Sequence, residues 1–403
     1  MYYQYAYDEL GQLIREDNKD ANKSYTYTYD SRGNILEKKT YAFTLGTLGT
    51  VQSTDSYGYA TDSWKDRLTS YNGQTITYDA IGNPLTYNNG SAYTFTWEGR
   101  QMQTATKGST TWTYTYNADG LRTGKTNGTT TYTYTWNENR QLSSMTWNTG
   151  YALFYYDADG IPYAVQNYDA ILDVERTYLY ITSLQGDVLS IIDASSGATA
   201  VTYTYDAWGR LIGKDGTSSD YASIYEYNPL TYRGYIYDSE TGFYYLQSRY
   251  YDPTVGRFLN ADDTTFLGAS GTLLSWNLFA YCENSVVYAR DPQGHFVITT
   301  TMLICAGIGA LVLGVAGGFA GYYISKKMSI PKGSRWKYIA GGALIGAAIG
   351  AAAGLGIGYC IGGGSVVAVV GKSGSAISTK ALNLGNKLSY IFGKATGSTH
   401  NVQ

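Results

Sequence analysis

The chain has 403 residues, 44 of them Tyr against 10 Phe and 6 Pro, and only 15% are charged. Two well-separated histidines, His295 and His400, and three cysteines without CxxC spacing exclude a histidine-built catalytic cluster, a disulfide framework and a zinc site. The net charge of −3 hides a division: residues 292–403 carry nine Lys or Arg and no acid, whereas residues 1–291 sum to −12, which argues against nucleic-acid binding by the first region.

In chain order, the first element is a repeat over residues 1–224. Tyr5-Ala-Tyr7-Asp8-Glu-Leu-Gly11 recurs as Tyr27-Thr-Tyr29-Asp30-Ser-Arg-Gly33 and as Thr77-Tyr78-Asp79-Ala-Ile-Gly82. Tyr114-Thr-Tyr116-Asn117-Ala-Asp-Gly120, Tyr155-Tyr156-Asp157-Ala-Asp-Gly160 and Tyr203-Thr-Tyr205-Asp206-Ala-Trp-Gly209 follow, with looser copies at Phe95–Gly99 and Tyr134–Asn137. Alternating Tyr and Thr predicts strands with rings on one face and hydroxyls on the other. Asp-x-x-Gly predicts a tight turn, with Asp accepting backbone hydrogen bonds and Gly taking positive φ. Each repeat reads as a hairpin that is marginal alone and stable when stacked. Copies spaced irregularly fit a long winding sheet better than equal propeller blades. The chain opens inside a repeat and Met1-Tyr-Tyr-Gln-Tyr5 has no basic segment followed by an apolar run, so an export signal is expected upstream.

From residue 225 the pattern becomes more specific. It reads Tyr227-Asn-Pro-Leu-Thr-Tyr-Arg233-Gly234-Tyr-Ile-Tyr-Asp238-Ser-Glu240-Thr-Gly242. It goes on through Phe-Tyr-Tyr-Leu246-Gln-Ser-Arg249-Tyr250-Tyr251-Asp252-Pro253-Thr-Val-Gly256-Arg257-Phe258, with Asp291-Pro292-Gln-Gly294-His295 further on. Residues 225–295 resemble the RHS-repeat-associated core domain, which closes the YD-repeat shells of bacterial RHS proteins and related toxin-complex subunits. With the repeats, the resemblance covers about residues 1–295. It implies a mainly β fold: a hairpin sheet wound into a hollow shell or cocoon, closed by the core, with a variable toxin following it. Arg233, Arg249 and Arg257 interleave with Asp238, Glu240 and Asp252, which suits a planar ion-pair network on a buried rim.

The resemblance also implies self-cleavage. In the family, paired Asp-Pro-x-Gly motifs flank the end of the core, and an intramolecular aspartyl protease cuts just after the second. Two carboxylates held close share a proton, so one can act as base and the other as acid. Here the second motif stands at Asp291–Gly294, and the implied scissile bond is His295–Phe296, with His where many members have Leu. The first motif keeps Asp262 but replaces its Pro and Gly by Asp263 and Thr265, which puts its turn geometry in question.

Past the core, residues 297–324 and 338–371 are free of charge, separated by Lys326, Lys327, Lys332, Arg335 and Lys337. Each run exceeds the roughly 20 residues that a bilayer-crossing helix needs, so residues 296–371 predict an apolar helical hairpin with a basic loop. Gly342, Gly346, Gly350, Gly354 and Gly358 stand four apart in the second helix, as do Ala306, Ala310, Gly314 and Gly318 in the first. Such small residues let helices approach closely in lipid. Residues 372–403 suit one short basic amphipathic helix, too short for a toxin core by itself, and a toxin module is expected to continue from it.

The leading expectation is a secreted or cell-surface polymorphic-toxin carrier whose partners are its own C-terminal toxin segment, a target-cell membrane and an immunity protein. No cofactor or metal is expected, and at most one enzymatic activity, self-cleavage near His295–Phe296, is expected. Two alternatives stand beside it: the hairpin as a pore-forming effector, and a wall-carbohydrate adhesion module that stacks sugars on its tyrosines.

Overall fold

A computed structural model describes residues 3–216, 219–295 and 297–361. Side chains at positions 300, 301, 303, 304, 306 and 354–361 lie outside that description. The chain divides into two compact units, one running through Leu267 and resuming at Leu273–Ile298, the other taking in Gly268–Thr272 and continuing from Thr299.

The first unit is an antiparallel meander. Seven strands from Tyr3–Tyr7 to Gln74–Thr75 pair in sequence order, and fourteen more follow from Thr77–Tyr78 to Leu211–Asp215. The turn chemistry is uniform. Asp8 Oδ1 accepts the backbone N–H groups of Leu10 and Gln12 at 2.9 Å, and Asp30, Asp79, Asn117, Asn137, Asp157 and Asp206 repeat this two-bond arrangement. The fourth turn residue needs the left-handed region, as at Gly33 with φ 75°; in the looser Trp136-Asn137 copy Arg140 takes it at φ 60°.

A second regularity links one repeat to the one before. In seven repeats the ring ahead of the turn donates to a carbonyl at the start of the preceding return strand. Tyr29 Oη reaches Leu13 O at 2.5 Å, Tyr59 reaches Ile35 at 2.8 Å and Tyr116 reaches Met102 at 2.8 Å. Trp97 and Trp136 do the same through Nε1, to Pro84 and Arg122 at 2.7 Å. Tyr156 and Tyr205 continue the series to Leu142 and Val188. The tyrosine excess therefore supplies both buried ring area and a hydrogen-bond ladder between repeats.

The strip bends back on itself. Asn18 Nδ2 donates to the Tyr205 carbonyl at 3.2 Å, and the Ala207 N–H donates to Glu16 Oε1 at 2.9 Å, closing a seam between the first hairpin and the last repeat. Residues 225–267 and 273–290 fill the interior of this bend. Four short strands, Ile236–Asp238, Phe243–Tyr245, Tyr250–Asp252 and Arg257–Phe258, form a closing sheet whose rings merge with those of the strip into one aromatic core. Tyr57 donates to Val255 O at 3.1 Å and Tyr93 to Thr241 O at 2.9 Å, so the strip clasps the core by its hydroxyls. The fold is mainly β, as expected; in this stretch the shell's interior is packed with the core rather than hollow.

Glu16 at the seam is fully buried, and burial, reinforced by the charge of Asp206, raises its carboxyl from 4.5 to about 8. The folded chain holds a proton there that the unfolded chain loses near 4.5, so this contribution is complete at lower pH and disappears as pH rises through about 8. Urea midpoints are expected to fall between pH 5 and about 9, and Glu16→Gln to flatten that slope; an unchanged slope in the variant would place the titration elsewhere.

The second unit is an antiparallel helical hairpin of Thr300–Lys327 and Arg335–Ile361. Gly309, Leu313, Gly317 and Gly321 lie against Gly350, Gly346, Gly342 and Tyr338, a register of four residues per step. A Cβ at Gly317 would overlap the Gly342 carbonyl oxygen, so backbone meets backbone along the seam. At the first helix's end, Ile330 N–H donates to Ser325 O at 3.0 Å and Ser329 N–H to Lys326 O at 3.1 Å, with Ser329 at φ 56°. This closes the orphan carbonyls in a Schellman arrangement.

Candidate functional site

Arg249 sits in the bend between the second and third strands of the closing sheet, its guanidinium 3.4 Å from the centroid of the Phe258 ring. Nη1 donates to Leu278 O at 3.0 Å, while Nη2 lies 3.1 Å from both Asp262 Oδ2 and Asp291 Oδ2. The structure thus brings the two sequence-distant carboxylates onto one cation. Both are buried, Asp291 at 1% and Asp262 at 4% exposure. The Asp262 backbone is fixed by donation to Leu278 O at 3.0 Å, and that of Asp291 by donation to Tyr235 Oη at 2.9 Å.

Asp291-Pro292-Gln293-Gly294-His295 is built like the repeat turns. Asp291 Oδ1 accepts the His295 N–H at 2.9 Å and Gly294 takes φ 78°. Ser248 Oγ, at 3.0 Å, and Arg249 Nε both donate to the Gly294 carbonyl. His295 Nδ1 lies 2.5 Å from Asp262 Oδ1, and its ring stacks on Phe266 with centroids 4.5 Å apart. Burial raises the Asp291 carboxyl above the usual range, Arg249 opposes this and Asp262 adds to it. Asp262 therefore keeps its place without the Pro and Gly of its motif, because Arg249, His295 and the Asp263 N–H at 2.8 Å hold its carboxylate. Phe296 lies outside the described residues.

The expected ion pairing within the closing block needs correction. Arg233 pairs with Asp187 at 3.3 Å and donates to Val286 O, Arg249 serves the carboxylate pair, and Arg257 donates to Tyr59 Oη and Asp66 O. Asp238 instead receives Arg122 in a two-pronged contact at 2.6 and 2.9 Å, and Lys125 bridges Asp238 to Glu240. Among the described residues Asp252 pairs with no cation: it accepts from Tyr87 Oη at 2.9 Å and Asn89 Nδ2 at 2.8 Å. The strands, two or three residues long, are too short to bring these charges together, so all but Arg249 reach outward to the encircling strip. Tyr250 and Tyr251 anchor to Tyr116 Oη and Trp208 O. Gly234, Gly242 and Gly256 all have positive φ, and Pro253 occupies the turn between the last two strands.

Among the helix glycines, Gly342, Gly346 and Gly350 face the partner helix backbone. Gly314 and Gly318 lie one position round, where a Cβ would come 3.3 Å from Ala347 Cβ and 3.6 Å from Ala343 Cβ. Gly309, Gly317 and Gly321 make the closest approach and were missed because the four-residue spacing admits two phases. The side chains around Gly354 and Gly358, Ala306, and residues 362–403 fall outside the described residues.

Residues 1–284 match the family model of the Teneurin YD-shell. The chain is 33% identical over 82% of its length to the tRNA3(Ser)-specific nuclease WapA of Bacillus spizizenii, and 32% identical over 72% to the tRNA nuclease WapA of Bacillus subtilis strain 168. It spans 13% and 12% of those proteins. The double-stranded DNA deaminase toxin A of Burkholderia cenocepacia is 26% identical over 72% of this chain and 22% of its own length. Among solved structures, TcdB2-TccC3-Cdc42 superposes with a TM-score of 0.56 at 20% identity, covering 72% of this chain and 15% of that one. A Photorhabdus luminescens Tc holotoxin pore gives 0.56 at 19% identity, covering 73% and 15%.

Proposed function

The chain belongs to the Teneurin YD-shell family, and on that premise we propose that it is the closing, self-processing end of a polymorphic-toxin carrier. The shell encloses the segment that follows His295, and the toxin in that segment is released by an internal cut and carried into a target bacterium. The curated relatives are named as nucleases and a deaminase toxin, which supports a toxin as the cargo. The producing cell exports the carrier and protects itself with an immunity protein. The apolar hairpin enters a membrane during delivery.

One observation carries the self-processing: Asp262 and Asp291, 29 positions apart, meet on Arg249 where the chain leaves the core. Asp291, raised by burial, suits the proton-holding acid, and Asp262 suits the base. Asp262 takes a proton from water as the oxygen adds to the His295 carbonyl carbon. Asp291 gives its proton to the departing Phe296 nitrogen, leaving a carboxyl on one fragment and an amine on the other. In a shell of this kind the substrate is already tethered, so no binding step is needed.

Purified protein incubated and read by mass spectrometry is expected to yield a fragment beginning at Phe296. Asp291→Asn and Asp262→Asn should each slow its formation by at least about 100-fold. No fragment from the parent, or equal yields from the variants, rejects the reading.

A further inference from the structure

The hairpin distributes its polar and aromatic groups unevenly. All five charges between residues 297 and 361 are positive and fall between Lys326 and Lys337, at the turn end. Lys326, Lys327 and Lys332 are exposed there. The register that sets Gly321 against Tyr338 brings Tyr322 and Tyr323 level with Lys337 and Trp336. Tyr323 and Trp336 are 68% and 62% exposed, and Tyr322 and Tyr338 are 45% and 37% exposed. A collar of outward-facing aromatic rings therefore lies directly beneath a cap of cations. Away from the turn the outer faces are apolar and open to the surroundings, with Leu311, Phe319 and Leu344 each more than 70% exposed. Twenty residues measured from the collar span about 30 Å, the thickness of a bilayer's hydrocarbon.

Aromatic rings with an apolar body and a polar tip settle at headgroup level, and cations just beyond them meet lipid phosphates. A soluble acidic protein would match the cap alone and leave the collar and the apolar flanks unused. We propose that the turn end of the hairpin is a docking surface for anionic phospholipid, with the aromatic collar at the interface and the lysines on the phosphates. The proposal rests on the membrane reading above and adds to it a lipid class and a depth. The Schellman-closed helix end belongs to the same design, since it pairs the Ser325 and Lys326 carbonyls at the interface.

The test uses the whole chain floated with vesicles of phosphatidylcholine, with or without phosphatidylglycerol. Partitioning is expected to rise at least about tenfold with phosphatidylglycerol. The combined Lys326→Gln, Lys327→Gln and Lys332→Gln variant, whose changes are on exposed side chains, should lose on the order of 100-fold on anionic vesicles. Its partitioning onto neutral vesicles should match the parent's. Quenching by lipids brominated near the headgroup should exceed that by deeply brominated lipids, and Trp336→Phe should remove the difference. Equal binding to both vesicle types, or a triple variant that behaves like the parent, overturns the anionic-lipid proposal and leaves membrane insertion standing. Binding to neither type overturns both.

Discussion

Replacing Asp238 by Asn is expected to destabilise the shell by about 3–5 kcal/mol, read as a lower urea midpoint. Asp238 has no exposed surface and takes two bonds from Arg122, itself fully buried, and a third from Lys125. Asn cannot neutralise that pair, and Glu240 alone remains as their anion. The Arg122 guanidinium also lies 4.5 Å from the centroid of the Tyr245 ring, so water has no ready way in to replace the lost charge. Because Arg122 belongs to the strip and Asp238 to the closing sheet, the variant should also speed proteolysis where the two meet. Glu240→Gln is the control: its side chain is 14% exposed and it bonds one lysine, so its cost should stay near 1 kcal/mol. Equal costs for the two variants would mean that the charge network is not what ties the core to the repeats.

Gly342→Ile is expected to part the two helices. A Cβ there overlaps the Gly317 carbonyl, and backbone atoms cannot yield as a flexible side chain can. The pair must open to the roughly 8–10 Å axis separation that ordinary side chains require. Spin labels at Val315 and Ile345, both exposed, should report the wider spacing by pulsed EPR. Its neighbour gives the contrast: a Cβ at Gly341 meets nothing within 4 Å, so Gly341→Ala should keep the spacing and raise helix stability by about 1 kcal/mol. If Gly342→Ile leaves the label distance unchanged, the close glycine seam is not what holds the hairpin together.

Much of this architecture is legible along the chain because its information is local. Asp-x-x-Gly after an alternating Tyr-Thr run specifies turn and strand together, and the turns at Asp8, Asp30 and Asp206 follow from it directly. Ser183-Leu-Gln-Gly186 escapes such a reading, since Ser183 Oγ substitutes for the carboxylate when it accepts the Asp187 N–H at 3.1 Å. Partners across the fold are less legible. Nothing in the order of Arg233, Arg249 and Arg257 says that they face Asp187, the Asp262 and Asp291 pair, and Tyr59, because those contacts depend on how the strip closes around the core. For Asp291 a local clue exists: its segment has the spacing of the repeat turns, with Pro292 in the second position, so its Oδ1 is committed to the His295 N–H and only Oδ2 is left for Arg249. The glycine seam is legible in period, and in the second helix also in phase, whereas the phase in the first helix is set by its partner.

The ladder of ring hydroxyls and indole N–H groups makes the strip polar in the sense that a filament is polar. Each repeat in the series brings its donor to its predecessor, as Tyr116 does toward Met102 while Arg122 receives Trp136. Couplings of this kind run in one direction and involve only neighbours. A ribosome releases the acceptor first and the matching donor afterwards, so each new hairpin finds its docking surface already made. The shell can be wound in the order in which it is translated, with the closing core arriving after the strip, into walls that are already standing.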